Sequence, residues 1–275
     1  MHMGQASTTF VETPPMGTSS PTWLQRAVLA LAHTTPLGRG SGRRLTTKAL
    51  LALRDGPIDA SLAGQPFRFD IRANSTDRQA LIRPSYNAQE FEFLLAGLGA
   101  GSTYVDIGAN SGFFVVKIAA ARKAQCRILA IEPNPAILPS LRLNVASAGD
   151  SVTIVDCAVG AEEGIARFHS SASNLGESSF AANGEIEVPV RPLLAIVTTA
   201  GLDRIDALKI DVEGFEDQAL LPFFAQAPRQ LWPRRIVMEF TAAGHWKQDC
   251  LTQLLGYGYR ETGRTRGNTL LRLDE

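Results

Sequence analysis

Residues 104–114 read YVDIGANSGFF. Tyr104, Val105 and Ile107 form a short apolar run around Asp106. The run breaks into Gly108-Ala109-Asn110-Ser111-Gly112, and a helix-like apolar stretch follows from Phe113 to Ala121. That succession predicts a strand, a tight turn and a helix. Gly108 and Gly112 carry no Cβ and reach positive φ, so the turn and the helix N-terminus can approach a ligand closely. Taken alone, an ordinary turn in an α/β sheet would look the same. The next strand, within ILAIEPNP, ends on Glu132. Asp106 and Glu132 are therefore expected on neighbouring strand tips, as a nucleoside cofactor requires.

Working outward, strand and helix alternate with short connections: strand 104–107, helix 112–124, strand 127–131, helix 135–147, strand 152–156. This cadence predicts a mostly parallel sheet with right-handed crossovers and helices on both faces. It breaks between Gly164 and Pro192. There, strands 165–169 and 185–190 flank the loop SSASNLGESSFAANG, and residues 170–184 are long enough for a substrate-side flap. A helix at 194–200, a strand at 207–210, a helix at 215–224, a strand at 235–240, a helix at 247–255 and a strand at 269–273 complete the pattern. The last two strands are joined too closely for a parallel crossover and predict an antiparallel hairpin. Seven strands ending in that hairpin depart from the six-stranded dinucleotide fold. They indicate an α/β, class I methyltransferase (Rossmann-like) sheet.

Upstream, residues 1–20 are rich in Ser, Thr, Pro and Gly and predict a disordered tail. Residues 21–84 read as an extension and 85–275 as the main domain. The extension opens with a helix whose apolar residues, Trp23, Leu24, Val28, Leu29 and Leu31, are available to cover the sheet or a partner subunit. Arg39, Arg43, Arg44, Lys48 and Arg54 then form a basic run with almost no acid before Asp55, either a solvated face or a patch beside an anionic substrate. Strands at 58–62 and 67–71, a turn at 74–77 and a helix at 88–98 lead into the main domain.

The 275 residues carry 27 Lys and Arg against 27 Asp and Glu. Net neutrality offers no electrostatic reason for a nucleic-acid partner or a membrane, and a small-molecule substrate is the expected partner. Three cysteines and four histidines show no metal-ligand spacing. No apolar run approaches the ~18 residues of a membrane span, and the N-terminus lacks a signal-peptide pattern. A soluble, cytoplasmic protein is the expectation.

The turn is Gly-x-Asn-x-Gly, not the dinucleotide fingerprint G-x-G-x-x-G. A diphosphate needs unpaired amide donors, whereas Asp106 before the turn and Asn110 within it suit the ammonium and carboxylate of an amino acid. Glu132 has the chemistry to accept two ribose hydroxyls, and Asp156-Cys157 at the third strand end is placed to hold an adenine amino group. Asp211, Glu213 and Glu239 put three acids on two adjacent strand ends. They can orient a hydroxyl, take its proton, or hold a labile divalent cation; helix capping is the plainer role for the first two. His245 is a second candidate base.

YVDIGANSGFF, AIEPNP with Leu141-x-x-Asn144, DCAVG and above all DALKIDVEGFE together resemble the FkbM family of S-adenosylmethionine-dependent methyltransferases. The resemblance runs from about Ser85 to the last strand. It implies methyl transfer from S-adenosyl-L-methionine, usually to oxygen, on sugars, polyketides or other small polar natural products. By the same resemblance Asp106, Gly108, Asn110 and Gly112 belong to the methionine-binding loop, Glu132 is the ribose ligand and Asp156-Cys157 the adenine contact. Asp211 and Glu213 would be the acids at the reaction centre. One departure is local: where the family commonly reads Thr-Leu-Asp, this chain reads Pro192-Leu193-Leu194. A nicotinamide oxidoreductase and a non-catalytic cofactor-binding protein are the alternatives from other classes. An oligomer through the N-terminal helix stays open.

Overall fold

A computed structural model describes residues 13–169, 179, 180, 184 and 186–274. In chain order the elements are α1 (Trp23–Thr34), α2 (Gly40–Leu53), β1 (Ile58–Leu62), β2 (Gln65–Phe69), α3 (Ser75–Ile82), α4 (Ala88–Leu95), β3 (Thr103–Ile107), α5 (Phe113–Ala121), β4 (Arg127–Ile131), α6 (Leu138–Val145) and β5 (Val152–Val155). There follow β6 (Ala158–Gly160), β7 (Gly164–His169), β8 (Ser179–Phe180), β9 (Ile186–Pro192), α7 (Leu193–Thr199), β10 (Ala207–Ile210), α8 (Glu216–Gln226), β11 (Arg235–Glu239), α9 (Cys250–Gly256), β12 (Tyr259–Arg264) and β13 (Asn268–Leu273).

The main sheet has seven strands in the order β12-β13-β11-β10-β3-β4-β5. Strands β11, β10, β3, β4 and β5 are parallel, while β13 runs antiparallel between β11 and β12. This is the α/β class I methyltransferase sheet. Every residue of β3 and β10 is buried, as expected of strands covered on both faces. Strand alternation sends Tyr104, Ile128, Ala207 and Val237 to one core, with α5, α6 and the β1–β2 hairpin. Val105, Leu129, Leu208 and Ile236 face the other core, built on α7, α8 and α9. The chain leaves β3 toward β4, while β10 returns on the other side of β3. Between β3 and β10 the strand order therefore switches direction, opening a crevice at their C-terminal ends.

A four-stranded sheet, β6-β9-β7-β8, projects from the second half. It contains the two strands expected around the 170–184 loop, paired antiparallel from Gly164↔Val190 to Phe168↔Ile186. Of that expected flap, 170–178 and 181–183 lie outside the described residues, as do 1–12 of the expected tail.

Three local expectations are corrected. Residues 13–20 are held in place: the Gly17 and Ser19 amides donate to Asp59, and Arg68, paired with Asp59 at 2.7 Å, also donates to the carbonyls of Pro14 and Pro15. Residues 74–77 begin helix α3 in place of a turn, because Asn74 accepts from the Thr76 and Asp77 amides as an N-cap. Helix α1 turns Gln25, Leu29 and Ala32 inward and leaves Trp23, Leu24 and Leu31 exposed, so most of its expected apolar face points to solvent. Gln25 is drawn in by its donor bond to the Leu50 carbonyl, 3.1 Å away. No helix among the described residues is long and apolar enough to cross a membrane.

Candidate active site

The glycine turn closes over the end of β3. Gly108 has φ +76°, and a Cβ there would lie 2.0 Å from the Asp211 carbonyl oxygen, so the turn crosses the backbone leaving β10 at a distance only glycine permits. Asn110 takes the left-handed conformation, φ +53°. Its Oδ1 accepts from the Ser111 amide at 2.7 Å and from the Asn74 side chain at 2.5 Å. The other amides of the turn are also taken. Gly108 and Ala109 donate to the Ile131 carbonyl, Asn110 to Glu132 and Gly112 to the Ala109 carbonyl. With all five amides bonded inside the protein, the turn has no donor left for a diphosphate.

Beneath the turn lies an ion cluster. Lys209, a buried lysine in an otherwise apolar strand, donates to the Gly108 carbonyl at 2.7 Å. Asp106 and Asp211 flank it at 3.4 and 3.6 Å. Burial alone would pull its ammonium down, but Asp106, Asp211 and Glu132 together hold it above the ordinary lysine range. Sequence reasoning misses Lys209, although a lysine between Leu208 and Ile210 in a strand buried on both faces is signal enough.

Glu132 accepts one amide on each oxygen, Asn110 at 2.8 Å and Asn134 at 2.9 Å. Each oxygen keeps a further lone pair, as a ligand to ribose hydroxyls needs. Burial pushes its carboxyl up to about 7, against the pull of those amides. Cys157 is buried, whereas the Asp156 side chain is 70% exposed, 3.8 Å from Arg142. Asp106, Glu132 and Asp211 outnumber Lys209, so the charge around the turn favours a cationic ligand. These carboxylates fit the ammonium and the ribose hydroxyls of a sulfonium nucleoside, while the saturated turn amides do not fit the diphosphate of a dinucleotide.

Past β10 the chain bends sharply. Glu213 adopts φ +54° and Gly214 φ +97°, with His245 and the Ala242 carbonyl packed where a Gly214 Cβ would sit. Buried Glu216 fixes this bend by accepting from the Val212 amide at 3.0 Å and from the Trp246 indole at 2.7 Å. Asp217 accepts the Lys247 and Gln248 amides. Neither acid stands out in the sequence, since a carboxylate that serves its own turn looks like any first-turn helix acid.

A cleft of about 890 Å³ opens over Lys209, Asp211, Glu213 and Glu239, and Gln79, Tyr86 and Asn87 contribute to its wall. His245 is exposed and packs on Gly214; it is not among the side chains lining the cleft. Glu239, buried at the end of β11, accepts from the Thr241 amide and hydroxyl through one oxygen. Its other oxygen is buried without a hydrogen-bond partner among the described residues. Burial first, and the neighbouring Asp211 charge second, push this carboxyl up to about 7. Among the described residues no group of three His, Cys, Asp or Glu side chains is arranged to hold a metal ion. Another cavity, about 870 Å³ beside Arg235 and Arg272, is remote from these carboxylates, at the opposite ends of the strands.

The extension contributes directly to the site. Beyond the Asn74–Asn110 bond, the Ser111 hydroxyl donates to Asp77, and Asn144 bridges the Ser111 carbonyl to the backbone of Arg68 in β2. Leu194 sits in the first turn of α7 and packs against the second core; the N-cap residue Pro192 makes no side-chain cap there.

A sequence model described as "Methyltransferase FkbM domain" matches residues 106–261, more than half of the chain. No curated protein matches it by sequence. Similar solved structures include a precorrin-6y C5,15-methyltransferase from Geobacter metallireducens: 15% identity, 73% of this chain and 91% of that one, TM-score 0.42. An O-methyltransferase from Bacillus cereus in complex with SAH has 10% identity, covering 70% and 81%, TM-score 0.42. An rRNA methylase from Streptococcus thermophilus has 11% identity, covering 68% and 95%, TM-score 0.40. Likenesses this distant carry no argument about acceptor or chemistry.

Proposed function

Since the chain belongs to the FkbM-domain family of S-adenosylmethionine-dependent methyltransferases, we propose that it methylates a hydroxyl oxygen of a small polar metabolite, such as a sugar or polyketide. The observation that carries this reading is Glu239: a buried carboxylate in the wall of a polar cleft beside Asp211, with one oxygen that no described residue bonds. An alcohol attacking a methyl group must lose its proton, and a carboxylate titrating near neutrality is suited to take it. Asp211, which also lines the cleft, orients the hydroxyl.

The sulfonium donor supplies an electrophilic methyl group without further activation, so the protein's work is chiefly positioning. Glu132 would hold the ribose, the 106–112 segment the aminoacyl end, and the 156–157 pair the adenine. Lys209 keeps the turn and Asp211 in fixed relation from below. Residues Gln79, Tyr86 and Asn87 offer the acceptor polar contacts and help exclude water.

The test supplies methyl-labelled S-adenosylmethionine with a panel of hydroxylated metabolites and reads the product by NMR. A methyl ether is expected, with Glu239→Gln lowering kcat ~10²–10⁴-fold at unchanged affinity for S-adenosylhomocysteine. A product methylated on nitrogen or carbon, or full turnover by the variant, would sink the assignment.

A further inference from the structure

Overall neutrality conceals a separation of charge. Residues 13–54 hold six basic side chains, Arg26, Arg39, Arg43, Arg44, Lys48 and Arg54, and no aspartate or glutamate, so the rest of the chain carries the balancing acid. Arg26, Arg39, Arg44 and Lys48 are exposed, and none is in an ion pair among the described residues.

The same stretch buries Leu29, Ala32 and Leu50 but leaves several large apolar residues outside. On α1 the solvent face is Trp23, Ala27, Ala30 and Leu31, with Trp23 75% and Leu31 52% exposed. On α2 it is Arg44, Leu45, Lys48 and Ala52, with Leu45 63% exposed. Gln25 near the start of α1 bonds the Leu50 carbonyl near the end of α2, so these two successive helices pack antiparallel, each with an exposed face of its own. Exposed tryptophan and leucine interleaved with unpaired cations are the composition of a helix face that lies in a lipid headgroup layer.

We propose that this face docks the enzyme on a bilayer bearing anionic lipids, with Trp23, Leu31 and Leu45 entering the headgroup boundary and Arg26, Arg44 and Lys48 meeting the headgroups. Charge decides between occupants. A second copy would bring the same acid-free face against this one and oppose like charges. A soluble polyanion would satisfy the cations and leave the leucines in water. Arg43 of α2 also lines the cleft, so the proposed docking helix and the cleft wall share one element. The inference stands on the charge and apolar pattern and is independent of the acceptor.

The test is flotation of the full chain with phosphatidylcholine vesicles, with and without phosphatidylglycerol. Binding to the anionic vesicles alone is expected, weakening as salt rises. Each basic residue at such a surface is worth about fivefold, so Arg44→Gln with Lys48→Gln should weaken binding ~25-fold. Trp23→Ser with Leu31→Ser should weaken it by on the order of tenfold or more. These positions are exposed, and an unchanged melting temperature verifies that the variants fold. No binding at low salt, or binding that these variants leave intact, overturns the proposal. So does a dimer seen by sedimentation that Trp23→Ser with Leu31→Ser dissolves, which would give the face to a second copy.

Discussion

Lys209 donates a 2.7 Å hydrogen bond to the carbonyl of Gly108, tying strand β10, which runs into Asp211, to the glycine turn that follows β3. Lys209→Met removes that tie and leaves Asp106 buried beside no cation. Breaking a buried pair from one side costs about 3–5 kcal/mol, so urea denaturation should show a loss of that order. Calorimetry should show weakened S-adenosylhomocysteine binding. A stable variant with normal affinity would mean the cluster is dispensable.

Gly108 itself should tolerate nothing larger. An alanine Cβ would meet the Asp211 carbonyl at 2.0 Å at φ +76°, and we expect Gly108→Ala to destabilise by on the order of 3 kcal/mol or more. Gly101 is the control, with φ +73° and nothing within 4 Å of where a Cβ would sit. Gly101→Ala should cost only about 1 kcal/mol. Equal melting temperatures for the two variants would contradict the close-approach account.

The pH profile tests Glu239. In the proposed role it takes a proton only when ionised, and burial pushes its carboxyl up to about 7, so kcat should rise about tenfold per pH unit below 7 and level off above it. Asp211 contributes to raising that value. In Asp211→Asn the repulsion is gone, and the limb of the profile should move to lower pH even though the rate falls. A limb that stays in place would remove Glu239 as the titrating base.

Asp77 sets a separate, stability-related pH dependence. It is fully buried, bonded by the Ser111 hydroxyl and the Asp70 amide, and burial pushes it from 3.8 up to about 7. Below pH 4 it is protonated in both folded and unfolded chains and contributes no penalty. Between pH 4 and 7 the unfolded chain ionises freely while the fold resists, so stability declines as pH rises, by a few kcal/mol at most. Asp77→Asn should flatten that part of the curve. Parallel urea titrations at pH 4.5 and 7.5 test it, and an identical slope in variant and wild type would count against the account.

The parallel core was readable because its signal is local. A strand buried on both faces is mostly apolar, so 127–131, apolar after Arg127, and 207–210, apolar but for Lys209, are found with the expected bounds. The glycine turn and the acids after it are short-range features too. The missed elements depend on partners far along the chain. Residues 13–20 look featureless until Asp59 and Arg68 engage their backbone. Asn74 reads as a turn residue because an N-cap and a turn use the same side chain.

The sequence by itself determined the sheet, its antiparallel closing strand, the family and the residues gathered at the strand ends, since periodicity and short motifs survive without coordinates. Tertiary structure alone decided how those residues are used. Lys209 became the centre of an ion cluster because two strands meet at a switch in strand order. Glu239 became the candidate base because burial left one of its oxygens without a partner. The outward turn of α1 goes with the burial of Gln25, whose hydrogen bond to the Leu50 carbonyl is a long-range contact that no helical period encodes.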